Sequence, residues 1–199
     1  MSFIQILGQP QPKRANVFWG EIAPCEHLVQ IYEEDGTFLD FLEGFAAGGF
    51  EANESVIVVA TRPHLLVLED RLRHRGVSLN IARAKNQYLD FDAVTLLEKF
   101  MVNGWPHKVL FAETVSKLVS QAKADERRVR AFGEMVALLW ARGESGAAVR
   151  LEHLWHQACH RDSFSLFCAY PRNGFTEDVD ESIQEIHSLH SQVITACAA

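Results

Sequence analysis

Short apolar runs alternate with helical patterns along this 199-residue chain, and that alternation constrains the fold more than any other feature. The run Val129-Arg130-Ala131-Phe132-Gly133 shows the type. A charged approach, Asp125-Glu126-Arg127-Arg128, leads in, and an amphipathic stretch from Met135 to Trp140 leads out. A short, mostly apolar run before a helical pattern reads as a buried parallel strand. Four more runs fit: His27 to Tyr32, Ser55 to Ala60, Gln87 to Phe91 and Phe164 to Tyr170. Ser55 to Ala60 is apolar on both faces and rich in β-branched residues, as a central parallel strand requires. Strands that alternate with helices predict an α/β fold. The expectation is a three-layer αβα sandwich with a mainly parallel sheet of five or more strands.

The helices carry their own punctuation. Thr37 is expected to cap a helix holding Phe38, Leu39, Phe41, Leu42 and Phe45, stopped by Gly48-Gly49. Thr61 caps the next, with Pro63 in its first turn and Gly76 at its end. Asp92 caps a third. His107 to Ala124 forms another, with Val109, Leu110, Val115, Leu118 and Val119 inward. Gly143 ends a helix at about Arg142, and Ser145 opens one that runs through Ala158. A last helix is expected over 177–196, with Ile183, Ile186, Leu189 and Val193 as its apolar stripe. Its expected role is to cover the sheet of its own domain. The alternative is packing against a partner helix or a second subunit, which would make a homodimer. In that case His187 and His190 would weaken association as they protonate below about pH 6.5. Residues 1–24, with Pro10, Pro12 and Pro24, read as an extended arm, and 25–199 as one domain.

Composition narrows the function classes. A net charge of -7 leaves no basic footprint for nucleic acid. No apolar run approaches the ~20 residues of a membrane helix. No long apolar core opens the chain as in a signal peptide, so the expected location is cytoplasmic. Cys25, Cys159, Cys168 and Cys197 lack CxxC spacing and read as free thiols.

In open α/β sheets, ligands bind beyond the carboxyl ends of the strands. Glu134 stands there, directly after the strand that ends at Gly133, and is the leading candidate. A helix-capping role is its structural alternative. Tyr32 and Glu33 end the first strand, and Tyr170 ends the fifth. With Phe132, Trp140 and Trp155 they would form an aromatic-walled pocket for a small organic ligand. His27, at the opposite end of its strand, reads as structural. His153, His156 and His160 on one helix lack a HExxH pattern and read as a solvent-facing row, so no metal is expected. Cys168 reads as an inert buried thiol. Arg127, Arg128 and Arg130 read as a solvated edge balanced by Asp125 and Glu126. No catalytic residues and no cofactor are expected.

Five ordered blocks carry a family resemblance: His27 to Glu33, Asn53 to Ala60, Arg130 to Met135, Leu151 to Trp155 and Phe164 to Pro171. In that order and spacing, about residues 25 to 172 resemble a MEDS domain, the sensory domain of DcmR-type regulators. The family is in turn similar to KaiC/RecA-like ATPases. The resemblance implies a sheet whose first and fourth strands are central, a phosphate loop at Tyr32 to Thr37, and a Walker B strand at Val129 to Gly133. Here the chain departs from that pattern. Glu33-Glu34-Asp35-Gly36-Thr37 has one glycine, no lysine and three carboxylates, whereas a working loop is GxxxxGK[ST]. Three negative charges repel a triphosphate at close range. The resemblance therefore implies a non-enzymatic module that senses a small molecule between the first and fourth strands. It would signal in trans to a histidine kinase or transcription regulator. The rival expectations are a remodelled nucleotide-binding enzyme and a pure interaction module with a sealed crevice.

Overall fold

Six parallel strands form the main sheet, and their carboxyl ends therefore share one edge. The computed structural model describes Trp19, residues 22–172, Ile186 and residues 190–194. In chain order the elements begin β1 (His27–Tyr32), α1 (Asp35–Glu51), β2 (Ser55–Ala60), α2 (Arg62–His74), α3 (Leu79–Ala84), β3 (Tyr88–Asp92) and α4 (Ala93–Glu98). A small antiparallel pair, β4 (Met101–Val102) and β5 (Trp105–Pro106), leads to α5 (Lys108–Ala122). Then follow β6 (Val129–Gly133), α6 (Met135–Ala141), α7 (Ser145–Asp162), β7 (Ser165–Pro171) and β8 (Gln192–Ile194). The sheet order is β3-β2-β6-β7-β1-β8.

Alternation along the strands divides the core into two layers. Leu28, Tyr32, Val58, Phe132 and Phe167 face Phe38, Leu42, Leu65 and Leu68 of α1 and α2. Val29, Ile57, Ala131, Cys168 and Tyr170 face Phe111, Val115, Leu151 and Trp155 of α5 and α7. The three-layer α/β sandwich expected from the alternation is the fold. Among the described residues, no helix is long and apolar enough to cross a membrane.

Several local expectations change. β6 is central, but β7 lies between it and β1, so the first and fourth long strands are not neighbours. α1 starts at Asp35, two residues before Thr37, and runs through Gly48 and Gly49 to Glu51. These glycines give clearance and do not stop the helix. A Cβ on Gly48 would sit 2.8 Å from Trp19 Cβ, and one on Gly49 would sit 2.7 Å from Val56 Cγ2 and 2.8 Å from Arg130 Cδ. Trp19 in turn lies edge-on to Phe45, with ring centroids 5.5 Å apart. Val17 and Phe18 lie outside the described residues. On α5 the buried row is Phe111, Val115, Val119 and Ala122, while Val109 and Leu110 are exposed. Asp92 caps α4 as expected, accepting from Thr95 N at 2.9 Å.

Arg130 is not part of a solvated edge. Its side chain is fully buried, and Nε donates to Glu54 Oε2 at 2.6 Å. Nη1 donates to the backbone oxygens of Trp19 and Phe45 at 2.8 and 2.9 Å. Burial lowers the Arg130 pKa, and Glu54 opposes that shift.

The expected helix over 177–196 falls largely outside the described residues. Ile186 is helical and buried, but Gln192–Ile194 is a strand, so the helix does not continue through Val193. β8 pairs with β1 in parallel, Leu28 opposite Gln192 and Gln30 opposite Ile194. The preceding His190 turns its side chain into the fold and is not available on a helix stripe.

Candidate functional site

At the carboxyl edge, β6 hands the chain to α6 through Glu134. The Glu134 N–H donates to Val59 O at 2.9 Å, which ties this turn to the end of β2. The carboxylate then reaches over the next residue of β2's exit. Oε2 accepts from Thr61 N at 2.7 Å, and Oε1 accepts from the Thr61 hydroxyl at 3.3 Å. His64 Nδ1 lies 2.9 Å from the same Oε1 and 3.0 Å from Thr61 Oγ1. Glu134 does not cap its own helix α6 by a side-chain bond. It holds the start of α2 instead.

Tyr32 completes this group. Its ring stacks on Phe38 at 4.8 Å, and the His64 ring meets Phe38 edge-on at 5.0 Å. Burial, with the negative charges of Glu134 and Asp35 nearby, pushes the Tyr32 hydroxyl well above its ordinary pKa. The hydrogen bond to Glu134 raises the His64 pKa against the opposing effect of burial. An aromatic wall thus sits beside a carboxylate, a phenol and an imidazole at the edge where α/β sheets bind ligands.

The seven predicted pocket residues do not all meet there. Tyr32, Phe132 and Glu134 gather on the α1 side, with Phe132 5.6 Å from Phe38 and fully buried. Glu33 is exposed, 3.8 Å from Arg172. Tyr170, Trp140 and Trp155 lie across the sheet. Trp140 meets Tyr170 edge-on at 6.1 Å, and Trp155 is edge-on to Phe111 at 5.0 Å. The sheet's two faces separate the two groups. His64 was not read from the sequence as a site residue. The signal was present: it stands four residues beyond the carboxyl end of the clearest strand, after Thr61, which was read only as a cap.

A family model for MEDS, the methanogen/methylotroph DcmR sensory domain, matches residues 26–191. The chain belongs to the MEDS family. Among curated proteins, none matches it. A sensory role follows from the family.

The MEDS domain holds a second polar group, buried between the sheet and α7. Glu152 on α7 accepts from the Tyr170 phenol of β7. Its Oε2 lies 3.4 Å from His27 Nε2 of β1 and 3.8 Å from Cys168 Sγ of β7. His190 Nε2 lies 3.6 Å from Oε1. Burial favours the uncharged Glu152 acid, but the His190 and His27 rings outweigh it and hold the carboxyl below its usual range. Burial lowers the His27 pKa and raises that of the Cys168 thiol. His27 was read as structural, and its backbone does have that role. Its N–H donates to Ser191 Oγ at 2.9 Å, and its carbonyl accepts from Ser191 N at 2.7 Å. On α7, His153 and His160 are exposed, but His156 is half-buried with its ring 6.0 Å from that of His27, so the row expected to face solvent does so only in part.

The His64–Glu134 pair makes a pH prediction. A raised folded-state pKa gives a stabilisation that is complete below the unfolded value of about 6.5. It fades as pH rises through the folded pKa. Wild type is therefore expected to exceed His64→Gln in stability by about 1 kcal/mol near pH 5.5, with the gap narrowing toward pH 9. Parallel denaturant titrations check this, and a gap that widens with pH contradicts it. Other histidines contribute equally to both proteins and cancel in the difference.

Proposed function

We propose that this MEDS domain is a non-enzymatic sensor. A small organic ligand binds at the carboxyl edge beside Tyr32, Phe38, His64 and Glu134, and the response passes in trans to a regulatory protein. The observation that carries the reading is the Glu134 carboxylate held by Thr61 and His64 beside the Tyr32–Phe38 stack. A ligand donor that competes for Glu134 would loosen the start of α2, which gives binding a structural consequence. The β1–α1 junction supports the absence of ATPase chemistry. Glu33, Glu34 and Asp35 are exposed there, and no lysine follows. The likeness to KaiC/RecA-like proteins remains part of this proposal, with β1 and α1 in the place of the phosphate loop and β6 as the Walker B strand.

A histidine kinase or a transcription regulator is the proposed partner. An exposed apolar surface supports contact with another protein. Val102 and Trp105 are exposed at a hollow of ≈ 280 Å³ that Pro106, His107 and Arg150 also line, and Val109 and Leu110 of α5 are exposed as well.

A thermal-shift screen of small organic compounds tests the site. At least one compound is expected to raise the melting temperature of wild type, with the effect reduced tenfold or more in apparent affinity for Glu134→Ala. ATP with Mg²⁺ is expected to give no binding heat and no phosphate release. Ligand binding indifferent to Glu134→Ala would remove this site, and ATP turnover would remove the non-enzymatic reading. The rival interaction-module reading draws on the burial of Tyr32 and Phe132, at 6% and 0% exposure. A screen in which nothing binds favours it.

A further inference from the structure

His27, Glu152, Cys168 and His190 converge from β1, α7, β7 and the segment before β8, and all four are buried. One ligand atom from each lies within 4.8 Å of every other. Such convergence of two imidazoles, a carboxylate and a thiol is not required by packing. Buried apolar side chains surround the group, and burying unpaired polar groups is costly.

The hydrogen bonds leave a ring nitrogen of the group without a partner. His190 Nδ1 donates to Ile186 O at 2.5 Å, so in the neutral ring the lone pair is on Nε2. That nitrogen faces Glu152 Oε1 and has no hydrogen-bond partner. Oε1 already accepts from the Tyr170 phenol, so the unmet atom is the ring nitrogen, and a proton or a metal ion on it would relieve the cost of burying it bare. The spacing fits a metal. Tetrahedral zinc, with bonds of ~2.0–2.3 Å, sets its ligand atoms roughly 3.3–3.6 Å apart. From Glu152 Oε2, His27 Nε2 lies at 3.4 Å and Cys168 Sγ at 3.8 Å, with 3.5 Å between those two; His190 Nε2 lies 3.6 Å from the other oxygen, Oε1, and one ligand atom from each of the four lies within 4.8 Å of the rest. Charge also balances. One thiolate and one carboxylate neutralise a divalent cation, and the two imidazoles add none. The Tyr170 phenol bonded to Glu152 and the Ile186 carbonyl bonded to His190 orient two of the four ligands from outside, as outer partners do in metal sites; the outer nitrogen of His27, Nδ1, has no such partner.

We propose that His27, Glu152, Cys168 and His190 bind one divalent transition-metal ion of the zinc class. Nitrogen, oxygen and sulfur donors suit such an ion better than Mg²⁺ or Ca²⁺, which take oxygen ligands. The four protein ligands fill a tetrahedral shell, so the ion is held structurally and has no open position for catalysis. Because His190 immediately precedes Ser191 and β8, the ion clasps the carboxyl-terminal segment onto β1. The site is on the opposite face of the sheet from Glu134 and does not depend on the ligand crevice.

Reduced, chelator-stripped full-length protein titrated with Co²⁺ tests the assignment. The expected result is one equivalent bound, with a thiolate-to-cobalt charge-transfer band and the visible bands of four-coordinate cobalt, both displaced by Zn²⁺. Cys168→Ser is expected to abolish the charge-transfer band. His190→Gln is expected to weaken Zn²⁺ at least tenfold, since loss of a supporting group alone costs about 10–100-fold. Glu134→Ala is expected to bind metal as wild type does. Circular dichroism establishes which variants are folded. If Cys168→Ser does not fold, His190→Gln and the wild-type spectrum decide. A wild-type protein that binds neither Co²⁺ nor Zn²⁺ overturns the proposal. So does a charge-transfer band that persists in folded Cys168→Ser, or Zn²⁺ affinity unchanged in folded His190→Gln.

Discussion

Arg130→Met is expected to cost about 3–5 kcal/mol of unfolding free energy, because it strands a buried carboxylate. Arg130 is fully buried and donates to Glu54, which is itself only 6% exposed. Methionine fills much of the same volume, so the loss reports charge and hydrogen bonding more than a cavity. The carbonyls of Trp19 and Phe45 lose their donor in the same change. Arg128 remains near Glu54 at 3.6 Å, but its side chain is 55% exposed and solvent screens it. The double variant Arg130→Met, Glu54→Leu is expected to recover most of the loss, since a buried ion pair adds little over an apolar pair of similar size. Urea unfolding with an unchanged m-value measures both. A single-variant cost below about 1 kcal/mol would mean that water reaches Glu54, against the burial described here.

The same residue shows where sequence reading stops. Val129 to Gly133 was legible as a strand because its apolar residues outnumber the rest and a helix pattern follows. The charge at Arg130 was assigned to solvent because Arg127 and Arg128 precede it. Its partner, Glu54, lies 76 residues away in sequence, and nothing local to either side chain announces the pairing. The carboxyl-edge site was partly legible. The strand-end rule finds Glu134 and Tyr32 without coordinates, since parallel strands must share an edge. It cannot say which face a neighbouring strand's last residue takes. Tyr170 pairs in register with Ile31 and turns to the α7 side, while Tyr32 turns to α1. An offset of one residue therefore puts the two tyrosines on opposite faces. The buried His27, Glu152, Cys168 and His190 group was illegible for a related reason. Its members come from four segments, and none shows the short spacing by which metal motifs are recognised. β8 was lost because three residues cannot establish a period of two, and Val193 also fitted the helical stripe drawn through Ile186.

Removal of residues 190–199 is expected to lower the melting temperature by about 10–20 °C and to make the protein aggregate. Ile194 is 2% exposed and packs in the layer of α1 and α2. Loss of a buried isoleucine side chain costs about 2–5 kcal/mol. His27 also loses its backbone hydrogen bonds to the Ser191 amide and hydroxyl, each worth about 1 kcal/mol. A total on the order of 5 kcal/mol is comparable with the whole stability of many domains, and in a chain this size each kcal/mol moves the midpoint by about 2–4 °C. The truncation also uncovers β1. Its outer backbone groups, paired with β8 in the intact chain, become a free edge beside buried residues. Such an edge templates pairing between molecules. Size-exclusion chromatography and thermal unfolding of both forms decide the matter. A truncated protein that stays folded, unaltered in melting temperature and monomeric, while the full chain is dimeric, would make this segment an interface between subunits. Loss of stability with aggregation places it in the core of its own domain, where β8 and the buried His190 side chain already point.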